Sequence, residues 1–203
     1  MAIDGTTAHE ARAARGELPE LVHAAVALAR EYGFEYSSLP EHGELLRVLA
    51  RGVGPGVIGE TGTGCGVGLA WLASAAHQDA KIISIERDEA LARRVAELFR
   101  DVPQVRVLRG DWSELRGHGP FDLLALDGGG QGKGADPAID PAEWLRPGGL
   151  VVMDDFAPLT GWPPLFQGEV DEARRHWLEH PRLRATQVNV TPEWSTLLAT
   201  YVG

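Results

Sequence analysis

The segment Gly56–Gly68, GVIGETGTGCGVG, constrains the fold of this chain more than any other. Small and apolar residues lead into an acid, Glu60, and glycines then recur at positions 62, 64, 66 and 68. Val67, Leu69, Ala70, Trp71, Leu72 and Ala73 carry helix-like spacing, so a short strand turns into a helix at the glycines. Glycine lets backbone approach a ligand closely, and the helix N-terminus behind it favours negative charge. The expected occupant is nucleotide-like. A glycine turn that binds nothing would leave the acid at the strand end without a purpose.

Spacing narrows the choice of occupant. A dinucleotide fingerprint needs Gly-x-Gly-x-x-Gly, and its third glycine, counted from Gly62, falls on Val67. A phosphate-loop NTPase needs Gly-Lys followed by Ser or Thr, and this loop has no lysine. NAD binding would also leave Glu60 unexplained, so both familiar readings lose ground.

A chain of 203 residues holds one domain with a substantial core and is short for two, so residues 1–203 are expected to form a single domain. With 29 acidic against 19 basic residues and a formal charge of -10, nucleic acid is not an expected partner. The single cysteine, Cys65, excludes an intrachain disulfide framework and fits a reducing, cytoplasmic setting. No apolar run approaches a membrane span, and the opening MAIDGTTAHEARAARG lacks a signal-peptide core. Neither membrane nor secretion is expected.

The first 16 residues read as a mobile arm or a poorly formed first turn. Helices are expected over Leu18–Ala29, ended near Gly33, and over Glu41–Arg51, introduced by Ser37, Ser38, Leu39 and Pro40. Residues 1–51 thus form a helical cover or lid at one end of a sheet. Strand and helix then alternate: strand Lys81–Glu86, helix Asp88–Arg100, strand Val105–Arg109, strand Phe121–Leu126, a weak helix Pro141–Leu145 stopped by Pro147-Gly148-Gly149, and strand Leu150–Met153. Runs apolar on both faces mark parallel strands covered by helices. A helix from about Glu169 to Glu179 precedes Leu183–Val190 and Ser195–Val202, whose short Thr191-Pro192-Glu193 connection permits only an antiparallel hairpin. The expected fold is α/β: a Rossmann-like, mostly parallel sheet, helices on both faces, closed by an antiparallel C-terminal strand.

In such a sheet ligands gather outside the carboxyl ends of the strands. Glu60, Glu86, Asp111, Asp127, Asp154 and Asp155 all fall at or just past those ends. Glu86 is placed to accept hydrogen bonds from ribose hydroxyls, or else is a solvated acid before the next helix. Asp111 can receive an adenine amino group, and Trp112 can pack on the ring or fill a rim. Asp127, Asp154 and Asp155 offer hard oxygen ligands for Mg²⁺, and a cation gives the crowding of carboxylates a reason. The plainer alternative is that Asp154 caps its strand and Asp155 faces water. The histidines are scattered, with no convincing metal-ligand cluster.

Six stretches, YSSLPEHGELLRVLA, VIGETGTGCGVGLAWLA, IISIERD, VLRGDW, FDLLALDGG and LRPGGLVVMDDF, together resemble a class I S-adenosylmethionine-dependent methyltransferase. The nearest likeness is to the small cation-dependent O-methyltransferases of catechols and caffeoyl-CoA-like phenols, over about residues 36–203. The resemblance implies a seven-stranded sheet whose last strand is antiparallel. It also implies S-adenosylmethionine as cofactor, with Glu60, Gly62, Thr63, Gly64 and Gly66 at its methionine part, Glu86 at the ribose, and Asp111 with Trp112 on the adenine side. Ser38 and Leu39 correspond to the segment that closes over the cofactor, and Asp127 and Asp154 to two metal ligands. Asp155 stands where the family usually has asparagine. After Asp127 the family places an aromatic-containing segment with a lysine three residues on, whereas this chain reads Gly128-Gly129-Gly130-Gln131-Gly132-Lys133-Gly134. Lys133 either swings in as a base or is a solvated loop residue.

The expected activity is methyl transfer from S-adenosylmethionine to a hydroxyl of a small catechol-like or hydroxylated aromatic acceptor. Mg²⁺ would be held by Asp127, Asp154 and Asp155, and Asp127 and Lys133 form the catalytic set. Two alternatives are a metal-independent N- or O-methyltransferase of a natural-product-like molecule and a non-catalytic methyltransferase-like binding protein. Trp162 and Phe166 can wall the acceptor site, cover a sheet edge or make a homodimer contact. Tyr32, Phe34 and Tyr36 are a second candidate wall.

Overall fold

The apolar runs pair as strands that need cover on both faces. The computed structural model describes residues 5–134 and 136–203. In chain order it has α1 (Gly5–Ala8), α2 (Glu10–Ala14), α3 (Glu20–Glu31), α4 (Pro40–Val53), β1 (Val57–Thr61), α5 (Val67–Ala73), β2 (Lys81–Glu86), α6 (Glu89–Leu98) and β3 (Val105–Arg109). A 3-10 helix, Trp112–His118, leads to β4 (Phe121–Leu126), α7 (Pro141–Trp144) and β5 (Leu145–Phe156). A small ribbon of β6 (Leu165–Phe166) and β7 (Glu169–Val170) precedes α8 (Glu172–Glu179), β8 (Leu183–Asn189) and β9 (Ser195–Tyr201).

Seven strands form one sheet in the order β3-β2-β1-β4-β5-β9-β8. β1 to β5 pair in parallel, and β9 is antiparallel to both its neighbours, β5 and β8. One face is packed by Val22, Ala25, Leu46, Leu69 and Leu72 from α3, α4 and α5, with Val95 from α6. The other is packed by Leu115, Trp144 and Trp177 against Phe121, Leu124 and Val151. Helices thus cover both faces, as the doubly apolar strands demand. Among the described residues no helix is long and apolar enough to cross a membrane.

Several boundaries move for identifiable reasons. β5 begins at Leu145, because Leu145 pairs with Phe121 before the chain bulges through Pro147-Gly148-Gly149 and rejoins at Leu150 opposite Leu123. The proline and glycines therefore shape a bulge inside the strand. The helix expected from Glu169 starts at Glu172: Glu169 and Val170 pair back on Leu165 and Phe166, and the Asp171 side chain caps the helix by accepting from the Arg174 amide. At the N-terminus, the expected arm or loose turn is α1 and α2, with residues 1–4 outside the described residues. The Thr6 hydroxyl donates to the Phe34 carbonyl at 2.6 Å, which ties α1 to the segment ahead of α4.

The sheet order places a switch point between β1 and β4, whose onward connections leave in opposite directions along the sheet. There the two loops touch. A Cβ at Gly62, whose φ is +81°, would lie 2.4 Å from the Gly128 Cα, and one at Gly128 would lie 2.3 Å from the Gly62 Cα. The amides of Asp127 and Gly128 donate to the Thr61 carbonyl at 3.1 and 2.6 Å and close the seam.

We expect Gly128→Ala to destabilise the protein by about 1–3 kcal/mol, because its methyl meets backbone that cannot yield. Gly117→Ala, where nothing lies within 4 Å of the new Cβ, should change stability little. Urea unfolding of both variants checks this, and equal stabilities would show that the seam can relax.

Candidate active site

The switch point opens into a cleft of about 680 Å³ outside the carboxyl ends of β1, β2 and β4. Ser38, Gly62, Thr63, Gly64, Glu86, Asp127 and Lys133 all line it. The aromatic wall is present too: Tyr32, Phe34 and Tyr36 line the same cleft, with the Phe34 ring edge-on to Tyr36 at 5.9 Å and against Gly64.

Glu86 ends β2, and its carboxylate is held by backbone. Oε2 accepts from the Gly64 amide at 2.9 Å and Oε1 from the Asp88 amide at 2.8 Å. This clasp joins the glycine loop to the next strand end while leaving each oxygen a further lone pair for the cleft.

Glu60 lies one layer behind the cleft wall and is 2 % exposed. Ser84 donates to its Oε2 at 2.5 Å, and the Thr63 hydroxyl contacts Ser84 at 2.6 Å. A side chain at position 68 would collide with Glu60 Oε1 at 2.7 Å, so Gly68 leaves room for this acid beside Ser38. Burial pushes its carboxyl up to about 8, against the opposing pull of the Ser84 hydrogen bond and with further push from Asp154 and Glu86.

Asp127, Asp154 and Asp155 each present a carboxylate oxygen within 4.8 Å of the others. Adjacent strand residues ordinarily face opposite sides of a sheet, so Asp154 and Asp155 should diverge. A bulge brings them together. Met153 pairs with Leu197 and Phe156 with Ser195, so Asp154 and Asp155 stand opposite the single residue Thr196, with Asp155 at φ +63°. Left-handed backbone favours asparagine and aspartate alike among side-chain-bearing residues, so the turn accepts aspartate where the family resemblance expects asparagine.

The three acids repel one another. Burial first, then the charges of Asp154, Asp155 and Glu60, raise the Asp127 pKa well above the carboxylate range, with Lys133 opposing. Burial likewise raises Asp154, while His42 relieves it. Asp154 Oδ1 is buried without a hydrogen-bond partner, and its other oxygen lies 3.8 Å from His42 Nε2. Such a set is satisfied by protons or by a cation, and three hard oxygens suit Mg²⁺.

Lys133 is held in place. Its Nζ donates to the carbonyls of Asp154 and Asp155 at 2.7 and 3.2 Å and sits 3.9 Å from the Phe156 ring centroid. Burial lowers its pKa, against the pull of Asp155, Asp154 and Asp127. A solvated loop lysine is therefore not what the fold makes of it.

Other sequence candidates lie outside the main cleft lining. Leu39 precedes α4, where its carbonyl accepts from the Gly43 amide. Gly66, at φ +82°, starts α5 and packs against Val95 and Phe99. Asp111 caps the 3-10 helix: its Oδ1 accepts from the Ser113 amide and hydroxyl, and those bonds hold its pKa low. Trp112 stacks on Trp144 at 6.0 Å and lies against Gly129 and Gly130. Asp111 and Trp112 instead line a smaller cavity of about 330 Å³, which shares Gly62, Glu86, Gly128 and Asp136 with the cleft. Trp162 lines a separate groove with Leu178 and Val188, and Phe166 is exposed, so neither walls the cleft.

Sequence reading passed over His42 and Thr196. Their side chains meet at 2.8 Å across 154 positions, a contact that no local pattern signals. Ser84 was equally silent, although a serine within an otherwise apolar strand beside a buried acid is a legible clue.

A family described as "Methyltransferase domain" matches residues 60–156. A Mycobacterium sp. (strain JLS) protein named "Putative O-methyltransferase" is 30% identical over 160 residues, covering 71% of this chain and 70% of that protein. Among solved structures, the O-methyltransferase TomG from Streptomyces achromogenes, crystallised with SAM, superposes with TM-score 0.70 at 23% identity over 92% of this chain and 91% of that one. An O-methyltransferase from Bacillus cereus in complex with SAH gives TM-score 0.70 at 18% identity, covering 91% of each chain. The glycine loop, the buried strand-end acid and the sheet order therefore have a common explanation: the chain belongs to the class I S-adenosylmethionine-dependent O-methyltransferases.

Proposed function

We propose that this enzyme methylates a hydroxyl of a small catechol-like or other hydroxylated aromatic acceptor, assisted by Mg²⁺ at Asp127, Asp154 and Asp155. The observation that carries this reading is the bulge-built carboxylate cluster, one member of which, Asp127, also lines the cleft. A cluster of acids alone would be weak support, but Asp154 Oδ1 is a buried acceptor that lacks a donor.

Glu86 would hold the ribose hydroxyls of S-adenosylmethionine in the cleft, and Gly62–Gly64 its methionine portion. Glu60, one layer behind the cleft wall, would face the cofactor's ammonium and regain its charge as that cation approaches. Ser38 and the Phe34–Tyr36 wall narrow the mouth and exclude water. Asp127, Asp154 and Asp155 would hold the divalent cation, which would supply Lewis-acid charge that favours the ionised acceptor hydroxyl. Lys133 lies in the same wall, and its lowered pKa is the direction a general base needs as the hydroxyl proton leaves. The acceptor oxygen then forms its bond to the methyl carbon as the carbon–sulfur bond breaks, the electron pair staying on sulfur. The protein contributes mainly alignment and charge neutralisation.

A second reading, metal-independent transfer to nitrogen or oxygen, draws on Lys133, whose ammonium already lies against the carbonyls of the bulge. Asp154→Ala separates the two. With a catechol panel as acceptors, the variant should lose Mg²⁺-dependent turnover by about a hundredfold or more, the scale of lost Lewis-acid stabilisation, and keep cofactor affinity. Turnover indifferent to EDTA and to the substitution would remove the cation from the mechanism.

Glu60 generates a pH prediction. Its folded value of about 8 lies above the ordinary glutamate value of 4.5, so between these the folded state holds a proton that the unfolded state has released. Its contribution is therefore fully present below 4.5 and is lost as pH rises toward 8, at up to about 1.4 kcal/mol per pH unit. Ligand-free Glu60→Gln should be more stable than the parent at pH 8, with the advantage fading toward pH 4.5, and should bind S-adenosylmethionine about tenfold more weakly, the loss of one buried charge behind the cleft wall. Urea unfolding at both pH values and calorimetry with the cofactor test this. A stability difference independent of pH would show that Glu60 is ionised in the folded protein.

A further inference from the structure

His42 belongs to α4, in the N-terminal region, yet its ring reaches β5 and β9, late in the chain. Nδ1 lies 2.8 Å from the Thr196 hydroxyl on β9, and Nε2 lies 3.8 Å from Asp154 Oδ2 on β5. These are the two sides of the bulge: Thr196 is the lone residue facing Asp154 and Asp155. His42, Thr196 and Asp154 are all buried, at 5, 0 and 8 % exposure, so the ring is packed in one orientation.

We propose that His42 is a positioning residue for the cation site, spanning the β5 bulge so that the Asp154 carboxylate is held for coordination. This rests on the cation reading above. With the Thr196 hydroxyl donating to Nδ1, the ring proton sits on Nε2 and faces Asp154. At 3.8 Å this is a charge and packing contact on Oδ2 rather than a hydrogen bond, and Oδ1 is the buried oxygen still without a partner. Ligating carboxylates are commonly fixed by such outer partners, whose loss typically weakens metal affinity about 10–100-fold. Here the partner comes from a different part of the chain, so the cation site is incomplete without α4.

The test is Mn²⁺ binding to the full-length protein, followed by the electron paramagnetic resonance of free Mn²⁺, in the parent, His42→Ala, His42→Gln and Thr196→Val. We expect His42→Ala to weaken Mn²⁺ by about tenfold or more. Thr196→Val should weaken it in the same direction, and His42→Gln, which keeps a donor near the Nε2 position, should restore most of the affinity. S-adenosylhomocysteine affinity and melting temperature should stay near parental values in His42→Gln. Unchanged Mn²⁺ affinity in His42→Ala overturns the proposal while leaving the cation site intact. So does His42→Gln losing affinity as fully as His42→Ala together with melting temperature, which would make the histidine a packing residue. A parent protein that binds no Mn²⁺ overturns the cation reading itself, and the role of His42 with it.

Discussion

The contact between two glycines, Gly62 and Gly128, is the constraint on which the cleft depends. Their loops follow neighbouring parallel strands whose connections diverge, and a crevice forms only if both backbones can turn away after meeting. The approach leaves no room for a Cβ on either side. Because the amides of Asp127 and Gly128 share the Thr61 carbonyl, the seam also fixes where Asp127 leaves the sheet. One backbone contact thus sets the floor of the cleft and the position of an acid that borders both the cleft and the carboxylate cluster.

The glycine run after Asp127 shows how far sequence reading reaches. Taken alone, Gly128-Gly129-Gly130 is a departure from the resembling family and suggests a mobile loop. In the fold, Gly128 meets Gly62, while Gly129 and Gly130 receive the Trp112 ring, so the run answers to packing between segments far apart in the chain. The strands, the antiparallel hairpin and the acids at strand ends were legible because apolar periodicity and short connections are local signals. The bulges in β5 were not, because each is defined by a partner strand: Phe121 for one, Thr196 for the other. Residues such as Asp111 read correctly as strand-end acids, but their local hydrogen bonds only emerge once the next turn is built.

Buried charge runs against stability here. Glu60, Asp127 and Asp154 carry raised pKa values, and the chain as a whole has a formal charge of -10. A protein selected for stability alone would replace such acids with apolar groups of similar size. Their grouping at the carboxyl ends of β1, β4 and β5 sets them beside the cleft, where a cationic ligand would offset the cost of burying them.

Asp155 sharpens this point. Its left-handed backbone would serve asparagine as well, so geometry alone does not explain a third carboxylate. The added charge needs compensation, and the cation placed to give it is Lys133, whose Nζ donates to the carbonyls of Asp154 and Asp155 and whose field opposes the raised pKa of Asp127. Aspartate at 155 and the buried lysine at 133 are therefore best understood as one adjustment. Each would be unfavourable without the other, since an unpaired ammonium in this wall and an uncompensated third acid both carry a desolvation cost. The glycine-rich loop that carries Lys133 allows the pairing, because it brings the ammonium over the Phe156 ring at the end of β5.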